Sequence, residues 1–324
     1  MVPMSKVFVL GTGGTIASKR DDASGSFTAS TSAEDLLVEP VEGVDLEYRD
    51  VVVDGSYRFG FRELRLIAEA IAEADRQRAD GVVVPHGTDT VEETAFLADL
   101  VHASDMPVVF TGAQRAGDQP DSDGPRNLTD AIRAAASPRL RGIGVALAFG
   151  GELLAARGLR KAATLHPTPF EGERVAVLDG DEWTPLATPV RREPVALPGE
   201  RIDGLRIGLF VAAPSTDPGM LIRELDHGLD GVVLAGTGAG NAGPGYADAV
   251  AESVSRGVPV VLASRTMGGP IAGIYGNGGG ADLLKAGAMS AGLLSPLQAR
   301  ILLAALITNN ASAGSLADEF AARA

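Results

Sequence analysis

The chain has 324 residues, enough for two domains with hydrophobic cores, and its 45% hydrophobic and 22% charged residues are an ordinary globular composition. Acidic residues outnumber basic ones by 42 to 28, and the resulting formal net charge of −14 argues against nucleic acid as a partner. The chain contains no cysteine, which excludes a thiol nucleophile, a disulfide framework and a Cys₄ zinc site.

Membrane insertion is also disfavoured by the sequence. No apolar run approaches the roughly 20 residues that cross a bilayer. The first apolar stretch, residues 7–10, stops at a glycine and does not continue as the core of a signal peptide. We therefore expect a soluble, cytoplasmic protein with no membrane partner, unless a signal segment has been removed.

Apolar runs alternate with helical periodicities through the first half of the chain. The pattern predicts strands over 6–10, 44–53, 81–85, 107–110 and 142–149, and helices over 62–76, 90–103 and 127–136. The unbroken apolar character of 81–85 is typical of a parallel strand that is buried on both faces. The alternation predicts a doubly wound α/β fold with a mostly parallel sheet.

A stretch rich in proline and charge, residues 188–199, interrupts this alternation, which then restarts on a smaller scale. Strands are predicted over 205–211, 231–235 and 259–263, with helices over 219–228, 246–256 and 296–308. We predict a large N-terminal domain (1–188), a linker (189–204) and a smaller α/β C-terminal domain (205–324).

The first strand breaks abruptly into Gly11-Thr12-Gly13-Gly14-Thr15. Ligands of open α/β sheets bind at this carboxyl edge. Gly13 and Gly14 permit positive φ, and their N–H groups could line an oxyanion pocket. The alternative is a strand followed by a tight glycine turn, in which Thr15 serves only as a cap. A dinucleotide fingerprint fits poorly, because Ile16 takes the place of its third glycine.

The polar stretch 18–32 follows this turn, with Gly25 as a hinge point and Phe27 near it. A loop of this length at a sheet edge is either disordered or a lid over a site. We favour a lid.

A second buried strand breaks into His86-Gly87-Thr88-Asp89-Thr90 before a predicted helix. Because the carboxyl ends of parallel strands share one edge, this loop can meet the loop of Thr15. Asp89 or Thr90 could serve as the N-cap of the helix. A cap needs only one residue, so the rest of the cluster calls for another explanation.

Together, Thr12-Gly13-Gly14-Thr15-Ile16-Ala17 and His86-Gly87-Thr88-Asp89-Thr90 resemble the signature loops of the bacterial-type L-asparaginase and glutaminase family. Two unrelated loops in the right order make the resemblance specific, and it extends over most of the chain. Further matching segments are Thr111–Arg115, Asp123–Leu128, the region from Arg157 to Lys161, Gly236–Asn241 and Ser295–Arg300.

The resemblance implies a hydrolase that releases ammonia from the side-chain amide of L-asparagine, through an acyl-threonine intermediate and without a metal or cofactor. By motif position, Thr15 is the nucleophile, and Thr88, Asp89 and Lys161 form the supporting triad. Asp89 would also hold the substrate ammonium, and Ser56 its α-carboxylate. The implied substrate contacts are Gly14, Ser56, Tyr57, Gly87, Asp89, Ala113 and Asn241.

The resemblance also implies a homo-oligomer, a dimer of dimers, in which the small domain of a partner completes each site. Asn241 falls at a position that contributes to this shared site. The lid of the family usually carries a tyrosine where this chain has Phe27. Either the alignment slips within this loop, or Tyr57 or Tyr275 supplies the phenol from elsewhere.

Lysine is rare in this chain, with only Lys6, Lys19, Lys161 and Lys285 among 28 basic residues. A buried lysine can lose its proton, whereas arginine effectively cannot. Lys161 directly follows Arg160, which suggests that an amine is needed at this position. The alternative is an ordinary surface lysine, and the motif match favours the base.

Other functions stay open. A glutaminase or another amidase would use the same groups, and so would the ammonia-releasing subunit of a tRNA-dependent amidotransferase. The early first strand and the negative charge argue against that subunit. Residues 238–243 match a nucleotide-binding G-x-G-x-x-G pattern formally, but Pro244 follows. The intact Thr15, Thr88, Asp89 and Lys161 argue against an inactive amino-acid sensor.

Overall fold

The structure is a computed structural model that describes residues 4–20, 27–29, 32–36, 40–119, 121–309 and 313–324. The chain divides into two compact units, Met1–Leu197 and Pro198–Ala324. The division falls within the stretch 189–204 that the sequence predicts as a linker, and the domain bounds 1–188 and 205–324 stay predictions.

The larger unit is built on one long mixed sheet with short strand pairs beside it. The strands among the described residues are β1 (Ser5–Gly13), β2 (Ser18–Arg20), β3 (Phe27–Ala29), β4 (Val44–Asp54), β5 (Gly81–Pro85), β6 (Val108–Thr111), β7 (Val145–Phe149), β8 (Glu152–Ala155), β9 (Arg160–Lys161), β10 (Phe170–Glu171), β11 (Arg174–Asp179) and β12 (Glu182–Pro185). The helices are α1 (Phe61–Arg76), α2 (Val91–Val101) and α3 (Gly124–Ala136).

The main sheet has the strand order β12-β11-β8-β7-β6-β5-β1-β4. Neighbouring strands from β4 to β7 run parallel, as the sequence predicts, and β8, β11 and β12 add an antiparallel extension. In the part of the chain that the structure describes, two antiparallel pairs lie outside this sheet, β2 with β3 and β9 with β10.

Helices cover both faces of the parallel part of the sheet, because its strands are apolar at consecutive positions. Val82 and Val84 belong to the core cluster that contains Ile67 of α1 and Ala95 of α2. Val83, which points to the opposite face, belongs to the cluster that contains α3. Full burial of each such side chain stabilises the fold by roughly 1.5–3 kcal/mol. The doubly wound α/β prediction is therefore confirmed.

The smaller unit repeats the arrangement with a parallel sheet of order β13-β14-β15-β16. Its elements are β13 (Ile207–Val211), β14 (Gly231–Gly236), β15 (Val260–Ser264), β16 (Met289–Ser290), α4 (Gly219–Leu225), α5 (Tyr246–Ser255), α6 (Gly280–Lys285), α7 (Pro296–Thr308) and α8 (Ala313–Arg323). Helix α7 begins where the sequence predicts, since the Ser295 hydroxyl accepts a hydrogen bond from the Gln298 N–H at 3.2 Å.

The stretch that leads out of the larger unit is tied to its surface. The Arg191 guanidinium donates to the carbonyls of His102 and Ser104, just beyond α2. The Val195 N–H donates to the Leu100 carbonyl at 2.7 Å. The first part of the predicted linker is therefore fixed on the larger unit. None of the helices within the described ranges combines the length and apolar character needed to cross a membrane.

A buried histidine follows β5. The ring of His86 lies edge-on to Phe59 and Phe110, with centroids 5.3 and 5.9 Å away. Its Nδ1 lies 2.7 Å from the Gly87 carbonyl oxygen, so Nδ1 carries the proton and donates it. Nε2 has no hydrogen-bond partner in the part of the chain that the structure describes. Burial lowers the pKa of His86 to about 4, so the ring is neutral at pH 7.

We expect His86 to make the fold less stable in acid. The pKa falls from 6.5 in the unfolded chain to about 4 in the folded one. Between these values the unfolded state binds more protons, so stability is retained above pH 6.5 and is lost as the pH falls, by up to roughly 3 kcal/mol. His86→Asn keeps a hydrogen-bond donor at this position, but the asparagine side chain does not titrate in this pH range.

The measurement is the free energy of unfolding of both proteins in denaturant at pH 7 and at pH 4. Between pH 7 and pH 4, the free energy of unfolding should fall more for the wild type than for His86→Asn. A difference that does not change with pH would contradict the buried neutral ring.

Candidate active site

The carboxyl ends of β4, β1, β5 and β6 lie side by side at one edge of the main sheet. Each of these ends leads into a residue that the sequence predicts for the site. Ser56 follows β4, Thr15 follows β1, Thr88 and Asp89 follow β5, and Ala113 follows β6. The parallel order of the strands thus gathers the predicted residues at one edge.

The two signature loops are in main-chain contact through glycines. Gly13 and Gly14 have φ of 82° and 80°, values that favour glycine. A Cβ on Gly13 would lie 2.3 Å from the Asp54 carbonyl oxygen, and one on Gly14 would lie 2.4 Å from Cα and N of Gly87. No other residue type fits either position without a rearrangement. Thr15, directly after Gly14, is therefore adjacent to the second loop.

The Gly14 N–H has a partner within the fold, contrary to its expected role in an oxyanion pocket. It donates to the Asp54 carbonyl at 3.1 Å. The cause is the pairing of β1 with β4, which continues as far as Gly13 and Asp54. A substrate contact of Gly14 through its other atoms stays a prediction.

Thr15 begins a short 3₁₀ turn that is fixed on both sides. The next side chain, Ile16, is buried in the core that contains α3. The Ser18 hydroxyl donates to the Gly14 carbonyl at 2.8 Å. Thr15 itself is half-buried. The turn holds the threonine firmly while leaving part of it open to a ligand.

The structure brings together the three predicted members of the triad. Nζ of Lys161 lies 2.8 Å from Oγ1 of Thr88 and 2.8 Å from Oδ1 of Asp89. Lys161 reaches them from β9, which is held by its pairing with Phe170 on β10. The side chains of Lys161 and Asp89 are 18% and 55% exposed, so the carboxylate is the open end of the cluster.

Gln114, to which the sequence assigned no role, determines the direction of the Thr88 hydroxyl. Its Nε2 donates to the carbonyls of Thr164 and His166 at 3.2 and 2.9 Å. Its Oε1 must then face Thr88, whose Oγ1 lies 3.4 Å away. Thr88 therefore accepts from an N–H of the Lys161 Nζ group and donates to Gln114.

Ser56 and Tyr57, which are neighbours in sequence, are placed differently. Ser56 is only 2% exposed, and its hydroxyl has no hydrogen-bond partner among the described residues. It lies beside the second loop, since a Cβ on Gly87 would be 2.4 Å from it. The Thr90 hydroxyl also donates to the Ser56 carbonyl at 2.9 Å. Tyr57 is 73% exposed, with its ring against Gly55.

The loop after β6 is held by a carboxylate. The N–H groups of Gln114 and Arg115 donate to the Asp123 carboxylate at 2.9 to 3.0 Å. The side chain of Ala113 is fully buried. Any contact of Ala113 with a substrate would therefore be made by its main chain.

The predicted lid is described only in part. Gly25 lies outside the described residues. Phe27 begins β3, and its backbone pairs with Arg20 of β2, but its side chain also lies outside what the structure describes. Tyr275, an alternative source of a phenol, is 61% exposed in the smaller unit. The roles of the lid residues stay predictions.

Asn241 lies in a tight turn of the smaller unit. Its Oδ1 accepts from the Gly280 N–H at 3.0 Å, and its main chain pairs with Thr237. Helix α5 begins only at Tyr246, so the glycine pattern at 238–243 does not lead directly into a helix N-terminus as a dinucleotide site requires. The contribution of Asn241 to a shared site stays a prediction.

Comparison with known proteins gives the same family over both units. Residues 6–184 match the asparaginase N-terminal domain, and residues 206–320 match the glutaminase/asparaginase C-terminal domain. A protein of Deinococcus radiodurans named probable L-asparaginase is 34% identical, over 95% of each chain. One component of the glutamyl-tRNA(Gln) amidotransferase of Haloquadratum walsbyi is 32% identical, over 97% of this chain and 75% of that protein.

Among solved structures, the probable cytoplasmic L-asparaginase of Campylobacter jejuni superposes with a TM-score of 0.86 at 27% identity. The superposition covers 98% of this chain and 99% of that one. Sequence, fold and the grouping of the two signature loops therefore agree: the chain belongs to the bacterial-type asparaginase family.

Proposed function

We propose that the protein hydrolyses L-asparagine to L-aspartate and ammonia, with Thr15 as the nucleophile and without a metal or cofactor. The observation that carries this proposal is the cluster of Lys161, Thr88 and Asp89 at the sheet edge that also carries Thr15. The relatives and the solved structure named as L-asparaginases support the choice of substrate.

Thr15 is a better nucleophile candidate than Thr88. The Thr88 hydroxyl is buried and already engaged by both Lys161 and Gln114. Thr15 is half-buried on a glycine turn, where a substrate can approach it. A threonine hydroxyl also needs a nearby base, and Lys161, through its contact with Thr88 on the adjacent loop, can provide one.

The reaction would proceed in two halves. Thr15 Oγ1 attacks the side-chain carboxamide carbon of asparagine while its proton passes through the Thr88 hydroxyl to Lys161, which acts as a neutral amine. The C–N bond breaks, ammonia leaves with the returned proton, and the acyl group stays on Thr15. Water then attacks this ester, its proton is taken up by the same pair, and L-aspartate leaves as the Thr15 hydroxyl re-forms.

Two polar groups fit the charged ends of the amino acid. The half-open carboxylate of Asp89 can bind its ammonium group. The buried Ser56 hydroxyl can donate to the α-carboxylate of the amino acid, which would satisfy a hydroxyl that has no hydrogen-bond partner among the described residues. Main-chain contacts from Gly14, Gly87 and Ala113, and a side-chain contact from Tyr57, complete the proposed substrate site.

We propose a cytoplasmic homo-oligomer, a dimer of dimers, in which Asn241 of one subunit contributes to the site of another. The family membership supports this assembly. The cytoplasmic location is supported by the name of the Campylobacter jejuni protein. We further propose that the lid at 18–32 closes over Thr15 when a substrate binds.

Release of ammonia from L-glutamine is the main alternative, since the amidotransferase component of Haloquadratum walsbyi is 32% identical. Ammonia release from L-Asn, D-Asn, L-Gln and simple amides, measured in parallel, tests the proposal. We expect the highest kcat/KM for L-Asn. Equal or faster turnover of L-Gln would favour the glutaminase alternative, and no turnover of any amide would favour an inactive amino-acid-binding protein.

The first mutational test concerns the nucleophile. Thr15→Ala should abolish turnover and leave the unfolding midpoint close to that of the wild type, because Thr15 lies on a turn and outside the apolar core. Mass spectrometry of protein quenched during turnover should find the acyl adduct on Thr15. An adduct on Thr12 or Thr88 would refute this assignment.

The second test concerns the base. Lys161→Arg keeps the charge, but a guanidinium cannot take up a proton near neutral pH. A positioned base contributes about 10²–10⁴-fold, so we expect a loss of at least ~100-fold in kcat with a smaller change in KM. Lys161→Met should be no more active than Lys161→Arg.

The matched control is Lys285→Arg, the same substitution at the end of α6, which should leave kcat unchanged. If Lys161→Arg stays within about tenfold of wild-type kcat, proton transfer must come from another group. Lys161 would then only support the charge of Asp89.

A further inference from the structure

We propose that Glu92 is a positioning residue for the reaction, which fixes the main chain of Lys161 and thereby aims its Nζ. This inference rests on the proposed role of Lys161 as the base. It concerns a residue that lies two positions beyond the signature loop His86–Thr90, in the first turn of α2, and that the sequence analysis did not assign to the site.

The contact joins a buried carboxylate to the strand that carries the base. Oε2 of Glu92 accepts a hydrogen bond from the Lys161 N–H at 2.8 Å. Glu92 is only 5% exposed. It lies in the first turn of α2, and Lys161 lies on β9. The bond therefore connects two elements that are 69 positions apart in the chain.

Burying the Glu92 carboxylate costs free energy, so its burial calls for a compensating interaction. Desolvation raises the pKa of Glu92, and the bond to Lys161 and the charge of Arg160 act in the opposite direction. Buried polar groups in folded proteins are hydrogen-bonded, and the Lys161 N–H is such a partner for this carboxylate. A role at the helix N-terminus alone would not require burial, and Glu93 also lies in that first turn.

One short segment holds Lys161 at both ends. Thr88 and Asp89 bind its Nζ, and Glu92, three residues beyond Asp89, binds its backbone N–H. A free lysine side chain samples many rotamers, so fixing both ends restricts where the amine can lie. Because misplacement of a reacting group by about 1 Å can cost 10²-fold in rate, this two-point attachment matters for proton transfer.

The test compares three substitutions of Glu92 by kcat and KM for L-asparagine. Glu92→Gln keeps an oxygen acceptor at the same reach, so kcat should stay within about threefold of wild type. Glu92→Asp keeps the charge but withdraws the oxygen by one methylene, and Glu92→Leu removes it. Both should lower kcat at least ~10-fold with KM within about threefold. Glu73→Asp, the same substitution on the exposed face of α1, is the control and should leave kcat and KM unchanged.

A double-mutant cycle that combines Glu92→Asp with Lys161→Met distinguishes a positioning role of Glu92 from a general loss of structure. In the Lys161→Met background, Glu92→Asp should lower the residual activity by less than about twofold, because no base remains to be aimed. An equal loss in both backgrounds would overturn the inference, and so would wild-type kcat for both Glu92→Asp and Glu92→Leu. If Lys161→Met itself stays active, the proposed base is wrong, whatever Glu92 does.

If Glu92→Leu fails to fold, Glu92→Asp and Glu92→Gln decide the outcome on their own. Their order of activity is the critical readout. If the position of the acceptor oxygen matters, Glu92→Gln should have a higher kcat than Glu92→Asp. If the carboxylate acts only through its charge, Glu92→Asp should have the higher kcat. The second order would overturn the inference.

Discussion

The site depends on one steric constraint, the contact between the main chains of Gly14 and Gly87. Their strands, β1 and β5, are neighbours in the sheet, and the Thr12 hydroxyl ties them by donating to the Pro85 carbonyl at 2.8 Å. Beyond this tie the two loops can touch here only because Gly14 carries no side chain, since a Cβ on Gly14 would lie 2.4 Å from the Gly87 backbone. The contact brings the loop of Thr15, the proposed nucleophile, against the loop of Thr88 and Asp89.

The polar groups around Thr88 form a directional network on this scaffold. The amide of Gln114 is oriented by two carbonyls, which leaves its oxygen facing Thr88. A hydroxyl has one proton, so Thr88 cannot donate to Gln114 and to Lys161 at once. In the resting network Lys161 is therefore the donor. To take up a proton in the proposed reaction, Lys161 must be a neutral amine, and Thr88 must then turn its own proton from Gln114 to Nζ.

Apolar runs in the sequence predicted the parallel strands and the doubly wound fold. The family resemblance implied that Thr88, Asp89 and Lys161 act together, and the structure places these three side chains in contact. The sequence did not predict Gln114 or Glu92 as partners of the triad, because their bonds to Thr88 and Lys161 span 26 and 69 positions and leave no local pattern. Strands β8, β11 and β12 were missed because they pair antiparallel at the end of the sheet, beyond the regular strand–helix alternation.

The neutral ring of His86 has a consequence for the geometry of the second loop. Its Nδ1–H holds the Gly87 carbonyl at 2.7 Å, within the core. In a trans peptide the C=O and the following N–H point in opposite directions. The N–H of Thr88 is therefore directed away from the imidazole. The orientation of a single peptide plane, set by a histidine that never needs to ionise, decides which side of this loop presents a backbone donor.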